Sequence, residues 1–234
     1  GDITLDARKA TPHIAINEKV SGVQAGPLLQ DLTGQARVEG TADVTAKLDG
    51  SGTSADDIKK TLNGTTSFSL TEGSVKGVNI AALIRKAQAK LEGQPVPQEQ
   101  QPNQTDFSAM QGTATIKNGV VRNDDLLVQS PLLSINGKGE VSLPAETIDY
   151  TLTTRLVGSL QGKGGKSLEE LKGVSIPVRV GGTCSKPTYA PDLGAALSDA
   201  AKARLEEKVE EQQQKLQEKL GDELQDKLLK GLFN

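Results

Sequence analysis

The sequence predicts a mainly β fold with helices, ending in a C-terminal amphipathic helix. Three observations carry this. In Arg37–Asp49 every even position (Val38, Gly40, Ala42, Val44, Ala46, Leu48) is apolar or small, and every odd position is polar or charged. A period of two sustained that long is a strand with one dry face and one wet face. The alternation returns in Ile148–Leu156, where Ile148, Tyr150, Leu152, Thr154 and Leu156 alternate with Asp149, Thr151, Thr153 and Arg155. From Asp192 to Phe233 the composition shifts to Ala, Leu, Glu, Lys and Gln without proline, and Leu193, Leu197, Ala201, Leu205 and Val209 form one helical stripe.

The elements follow in chain order. Ile3, Leu5 and Ala7 alternate with polar neighbours as a first strand, which Pro12 interrupts. A second strand starts at Ile14 and is expected to end near Val20. Gly22–Leu32 reads as a turn and a short helix, with Pro27 suited to a first helical turn. The long strand Arg37–Asp49 comes next. Ser54 is a good N-cap with Asp57 at the N3 position, so a short helix is expected over Ala55–Leu62. Strands are expected around Thr65–Thr71 and Ser74–Val78, then a helix over Ile80–Leu91. Residues 93–105 are Pro/Gln-rich without periodicity and read as a mobile surface loop.

A second β region is expected from Phe107 to Val180. Its strands lie near Gly112–Lys117, Gly119–Asn123, Leu126–Ser130, Leu132–Gly137, Gly139–Leu143, Glu146–Leu156 and Val174–Val180. Short links favour antiparallel neighbours. Ser159–Gly165 is a Gly-rich loop and Ser167–Lys172 a short helical turn. The leucine stripe continues through Leu216, Leu220, Leu224, Leu228 and Leu232, with a possible break at Gly221-Asp222. The predicted organisation is a β-rich region over 1–191 and an amphipathic helix over 192–234. Gly22-Val23-Gln24 before Leu28-Leu29 resembles Gly77-Val78-Asn79 before Leu83-Ile84, a weak internal repeat that suggests a hairpin-plus-helix unit.

Composition narrows function. Aromatics are 2%, with three Phe, two Tyr and no Trp. Large aromatics dominate most globular cores, so a thick core is not expected and the dry face is expected to cover something else. Net charge is −3 and no basic patch is interleaved with aromatics, which argues against nucleic acid. No apolar run reaches spanning length. The chain starts at Gly1 and enters a strand at once, so an excised fragment is expected, its anchor or export signal lying outside it.

Catalytic chemistry is sparse. Cys184 is the single cysteine, which excludes an intramolecular disulfide and thiolate metal clusters. His13 is the single histidine and reads as a wet-face strand residue, so neither a Ser/His/Asp triad nor a His-based metal site is expected. Asp56-Asp57 and Asp124-Asp125 read as N-cap and turn residues, because neighbours on a strand point to opposite faces. Gly162–Ser167 lacks the spacing of a phosphate loop. No enzyme activity, cofactor or metal is expected.

Several segments together resemble the AsmA family of the Gram-negative envelope. They are Leu62–Thr65 with Glu72–Ile80, Thr105–Thr113 with Lys117–Val120, Leu126–Leu133 with Ile135–Leu143, and Ile176–Thr183 with Lys186-Pro187 and Pro191-Asp192. The resemblance implies a long, curved antiparallel sheet forming an apolar groove, related to bridge-like lipid transfer proteins. It implies a periplasmic protein held at the inner membrane by an N-terminal helix, which moves phospholipid between inner and outer membranes and supports outer-membrane assembly. It brings no catalytic residues.

A groove for acyl chains needs a continuous apolar face with little bulk. Val38, Ala42, Val44, Ala46 and Leu48, with Ile148, Leu152 and Leu156, are the candidate lipid-contacting residues. Acyl chains are non-directional partners, so no fixed polar constellation is required. The alternative reading is a non-enzymatic scaffold for outer-membrane assembly, docking a partner protein through its sheet edge or C-terminal helix. That helix carries many Glu beside its Lys, whereas interfacial helices favour Lys and Arg. It is therefore expected to pack on the sheet or on another helix.

Overall fold

The computed structural model describes residues 1–96, 98, 101–157, 174–199, 201 and 209. Ten strands form one antiparallel, curved, open sheet in strict sequence order. The elements are β1 (Asp2–Asp6), β2 (His13–Gln24), α1 (Ala25–Thr33), β3 (Val38–Ser51), α2 (Ala55–Thr61), β4 (Asn63–Lys76), α3 (Ile80–Leu91), β5 (Gln104–Lys117), β6 (Val120–Gln129), β7 (Leu133–Ser142), β8 (Thr147–Leu156), β9 (Ser175–Gly182) and β10 (Pro187–Pro191). The chain divides into two compact units, Gly1–Leu193 and Gly194–Asn234. All ten strands belong to the first. Residues 193–199, 201 and 209 are helical.

Local chemistry accounts for most boundaries. Asn118 (φ 49°) and Gly119 (φ 76°) make the two-residue hairpin between β5 and β6, the Asn-Gly turn whose twist suits antiparallel strands. Ser54 caps α2, its Oγ accepting from Asp57 N at 3.2 Å. Asn79 caps α3 by accepting from Ala82 N at 2.9 Å. The repeat seen in sequence has a structural counterpart: Gly22 (φ 69°), at the bulge of β2, and Gly77 (φ 87°), in the turn after β4, both stand in the left-handed region just before a helix.

The strands are longer than the sequence predicts. The expected strands Thr65–Thr71 and Ser74–Val78 fall in one 14-residue strand, β4, which ends at Lys76 before Gly77 and Val78. Glu72 (φ 49°) forms a bulge there opposite Gly40 rather than a turn. Gly119–Asn123 and Leu126–Ser130 likewise merge into β6, and Leu132–Gly137 and Gly139–Leu143 into β7. The residues read as turn signals mark bulges, because a bulge uses the same backbone conformations without ending the pairing. Asp124-Asp125 sits in such a bulge, not in a turn. β5 begins at Gln104, so the end of the expected 93–105 loop is strand. β10 was not expected, since Pro187 and Pro191 bracket it. Proline suits only an edge strand, where the missing N–H faces no ladder. Ser159–Gly165, Ser167–Lys172 and most of the leucine-striped tail lie outside the described residues.

At 14 residues, β3, β4 and β5 each span roughly 46 Å. Adjacent strands rotate by roughly 20–25° each, so the seven steps from β3 to β10 sum to about 160°. That rotation brings the β9–β10 turn back to the start of β3. There Arg37 Nη2 donates to Ser185 O at 2.6 Å. At the other end, α2 is tied to the β7–β8 turn by Lys59 Nζ and Glu146 Oε1 at 3.4 Å. Gly119 N also donates to Leu62 O at 2.9 Å there. The α3 helix touches both β5 and β10.

Candidate functional site: one apolar face across the sheet

Residues paired directly across antiparallel strands share a face. Following the register from β1 to β8 gives Ile3, Ile16, Leu48, Gly64, Ile116, Val121, Val141 and Ile148 in one row. A second row runs from β2 to β9 through Val23, Ala42, Leu70, Met110, Val128, Ile135, Thr154 and Ile176. Between them lie Val20, Val44, Phe68 and Gly112, and farther along Leu126, Gly137, Leu152 and Val178. Apart from Thr154, these rows are entirely apolar or glycine.

Exposure along this face falls from one side to the other. Ile3 is 65% exposed and Val20 37%, whereas Ala42 is 3% and Ile176 and Val178 are 0%. The β7–β9 side and the Ala42–Leu70 pair are therefore core, and the face is most exposed at Ile3 on β1 and Val20 on β2. The α3 helix contributes Ile80, Ala81, Ile84 and Ala89 as buried side chains. Small glycines let rings lie flat on the sheet. A Cβ at Gly112 would stand 3.0 Å from Phe68 Cζ, and one at Gly137 would stand 2.7 Å from Tyr150 Cε1.

The structure places the eight candidate residues as follows. Val44, Ala46, Leu48, Ile148 and Leu152 are half-buried on the apolar face, and Val38 is half-buried beyond the Gly40 bulge, opposite Val75. Ala42 and Leu156 are packed within the protein itself, at 3% and 4% exposure. Ile14, Ile16, Val20 and Phe68 join the same face, and sequence reasoning did not single them out. Their own alternation was visible, but which strands lie side by side was not.

Polar groups on the strands serve the sheet. Asp43 Oδ1 accepts from Gly22 N at 2.9 Å at the β2 bulge, and Asp125 Oδ1 accepts from Thr113 N at 2.8 Å at the β6 bulge. Each carboxylate satisfies a backbone N–H that the irregular register leaves without a ladder partner. The Thr113 backbone and hydroxyl bonds hold the Asp125 carboxyl below its usual range. Asn123 Nδ2 donates to Thr113 O at 2.6 Å, and the Tyr150 hydroxyl donates to Asn123 Oδ1. Burial, helped by the charges of Asp125 and Asp124, pushes the Tyr150 hydroxyl up to about 12. His13 is exposed, with Nδ1 3.0 Å from Ser51 Oγ. Thr154 Oγ1 is buried without a partner.

A cavity of about 350 Å³ is bordered by Lys19, Asp43, Thr45, Ser67, Gln111 and Thr113 of the wet positions together with Val20, Val44, Phe68 and Gly112 of the apolar row, so its lining is mixed. Among the described residues, no three His, Cys, Asp or Glu gather to hold a metal ion, and no helix is long and apolar enough to cross a membrane.

The sequence profile of the AsmA family matches residues 1–126. Protein AsmA of Escherichia coli (strain K12) is 27% identical over 208 residues, covering 87% of this chain and 34% of the relative. The chain thus spans about a third of that relative's length. No solved structure matches the chain.

Proposed function

Because this chain belongs to the AsmA family, we propose that its apolar face receives phospholipid acyl chains and that it acts in lipid transport and assembly of the outer membrane. Membership points to an envelope protein with a role in outer-membrane assembly or lipid transport, in a family not known for enzymatic activity. The finer reading places this part on the periplasmic side of the inner membrane, with the membranes reached through segments or partners outside it.

One observation carries the reading. One row of apolar residues and glycine crosses eight strands, and among the described residues its β1–β2 end stays exposed, with Ile3 at 65% and nearby Val20 at 37%. An apolar strip left that open favours an apolar occupant. Each methylene removed from water on it contributes roughly 0.8 kcal/mol. A partner of this kind needs no directional polar groups, and the strip offers few.

Lipid extraction and mass spectrometry of the purified chain, against a mock purification, tests this. Phospholipid near one equivalent per chain is the expected result. A chain that carries none and takes up no labelled phospholipid refutes the groove.

The scaffold reading has its own observation. β10 is blunted by Pro187 and Pro191 and touched by α3, whereas β1 has no proline and, among the described residues, exposes Ile3 and Leu5 at 65% and 66%. An unprotected edge can accept a strand from a partner protein. Proline at Thr4 would abolish capture of such a partner while leaving lipid content unchanged.

A further inference from the structure

The exposed end of the apolar face carries one charged side chain. From β1 to the Ala42–Leu70 pair, the register places apolar, glycine and threonine residues on this face, with Glu18 of β2 as the exception. Glu18 stands between Ile16 and Val20 along its strand, opposite Ala46, which in turn pairs with Thr66. The rows on either side of it, through Ile16 and through Val20, hold no polar side chain on β2–β4. Asn17 and Lys19 flank Glu18 in sequence, fall on the other face and are exposed. Glu18 is half-buried, its side chain 33% exposed.

A carboxylate set among apolar side chains loses part of its hydration and gains from a cationic donor. The other polar group in its row is already used, the Thr66 hydroxyl donating to Thr45 O at 2.9 Å. What stands beside Glu18 is a primary ammonium, the amino group of Gly1, 3.6 Å from Oε2. The space next to the carboxylate therefore admits an ammonium. At that distance the two form an ion pair and no hydrogen bond, so the carboxylate keeps acceptor capacity. Around this spot Ile3 is 65% exposed and Val20 37%. One anionic acceptor bordered by exposed apolar side chains matches an amphiphile with a cationic head. A primary ammonium suits it better than a quaternary one, which carries the charge but has no N–H to donate.

We infer that Glu18 sets the head-group preference of the apolar face, its carboxylate holding the primary ammonium of an amphiphile whose acyl chains lie on the rows through Ile16 and Val20. This rests on the acyl-chain reading above and deepens it by naming the class of head group and the end of the face where the head sits.

The test uses the full chain, with Gly1 free or acetylated, and four probes. Three are phospholipids with identical fluorescent acyl chains and an ethanolamine, choline or glycerol head. The fourth is phosphoethanolamine without acyl chains. With Gly1 acetylated, the expected result is about a fivefold preference for the ethanolamine lipid over the choline lipid, the upper range for a partly exposed ion pair. The free amino group of Gly1 competes for Glu18 and should narrow that preference. Glu18→Gln should abolish it while leaving choline-lipid uptake unchanged, which also reports that the variant is folded. Glu18→Lys should turn the preference toward the anionic glycerol lipid. Equal uptake of the three lipids by the acetylated chain, or a preference that survives Glu18→Gln, overturns the assignment of Glu18 and leaves the acyl-chain reading standing. Phosphoethanolamine bound as tightly as the ethanolamine lipid assigns Glu18 to free amines and overturns the lipid assignment. Uptake of no lipid overturns both readings.

Discussion

Val44→Asp separates a ligand-bearing face from an ordinary core. Val44 is half-buried on the apolar face, opposite Val20 on one side and Phe68 on the other. Val20 is itself 37% exposed, so the new carboxylate keeps access to water. The stability loss is therefore expected to stay near 1 kcal/mol. An acyl chain crossing this row would share about two or three methylenes with Val44. At roughly 0.8 kcal/mol each that is about 2 kcal/mol, close to a 30-fold loss of retention. Ala42→Asp is a poorer choice, because a charge at a position 3% exposed would unfold the sheet. Thr45→Asp is the control, one residue along and on the other face. Phospholipid per chain after purification is the readout, with urea unfolding to check the fold. Val44→Asp that is folded and retains as much lipid as Thr45→Asp would sink the assignment of this face.

Thr154→Val should stabilise the chain by about 1 kcal/mol, because it replaces a buried hydroxyl without a partner by an isosteric methyl. A lowered urea midpoint would show that the hydroxyl is satisfied. Gly64→Ala should destabilise by about 3 kcal/mol, since Gly64 has φ 136° and an added Cβ would stand 2.0 Å from Lys47 O, a backbone atom that cannot step aside. A thermal midpoint within a degree of the unmodified chain would contradict that packing. Acid should weaken the fold. The Arg8 side chain holds Asp6 at about 2, Ser54 and then Thr53 lower Asp57, and the Thr113 backbone N–H lowers Asp125. Each carboxyl binds its proton less tightly when folded. The stabilisation is therefore complete above about pH 4, where unfolded Asp titrates, and is lost as pH falls through the folded values. Equal urea midpoints at pH 7 and pH 2.5 would refute this.

Much of this protein is determined by short-range pattern. The dry face of β3, the N-cap at Ser54, the span of α3 and the shortage of aromatic bulk are readable from residues one to four apart, because alternation, capping and helical periodicity are local. The same locality explains the errors. Glu72 and the Asp124-Asp125 pair carry turn chemistry, and only pairing with a neighbouring strand makes them bulges within β4 and β6. Tertiary structure alone decided that Leu48 and Ile148 lie in one row five strands apart. It alone decided that Ala42 and Leu156 are sealed while Val44 stays open. Register and accumulated twist are long-range quantities. Each strand states which side is dry, but neither which strands it joins nor how far the sheet has turned when they meet.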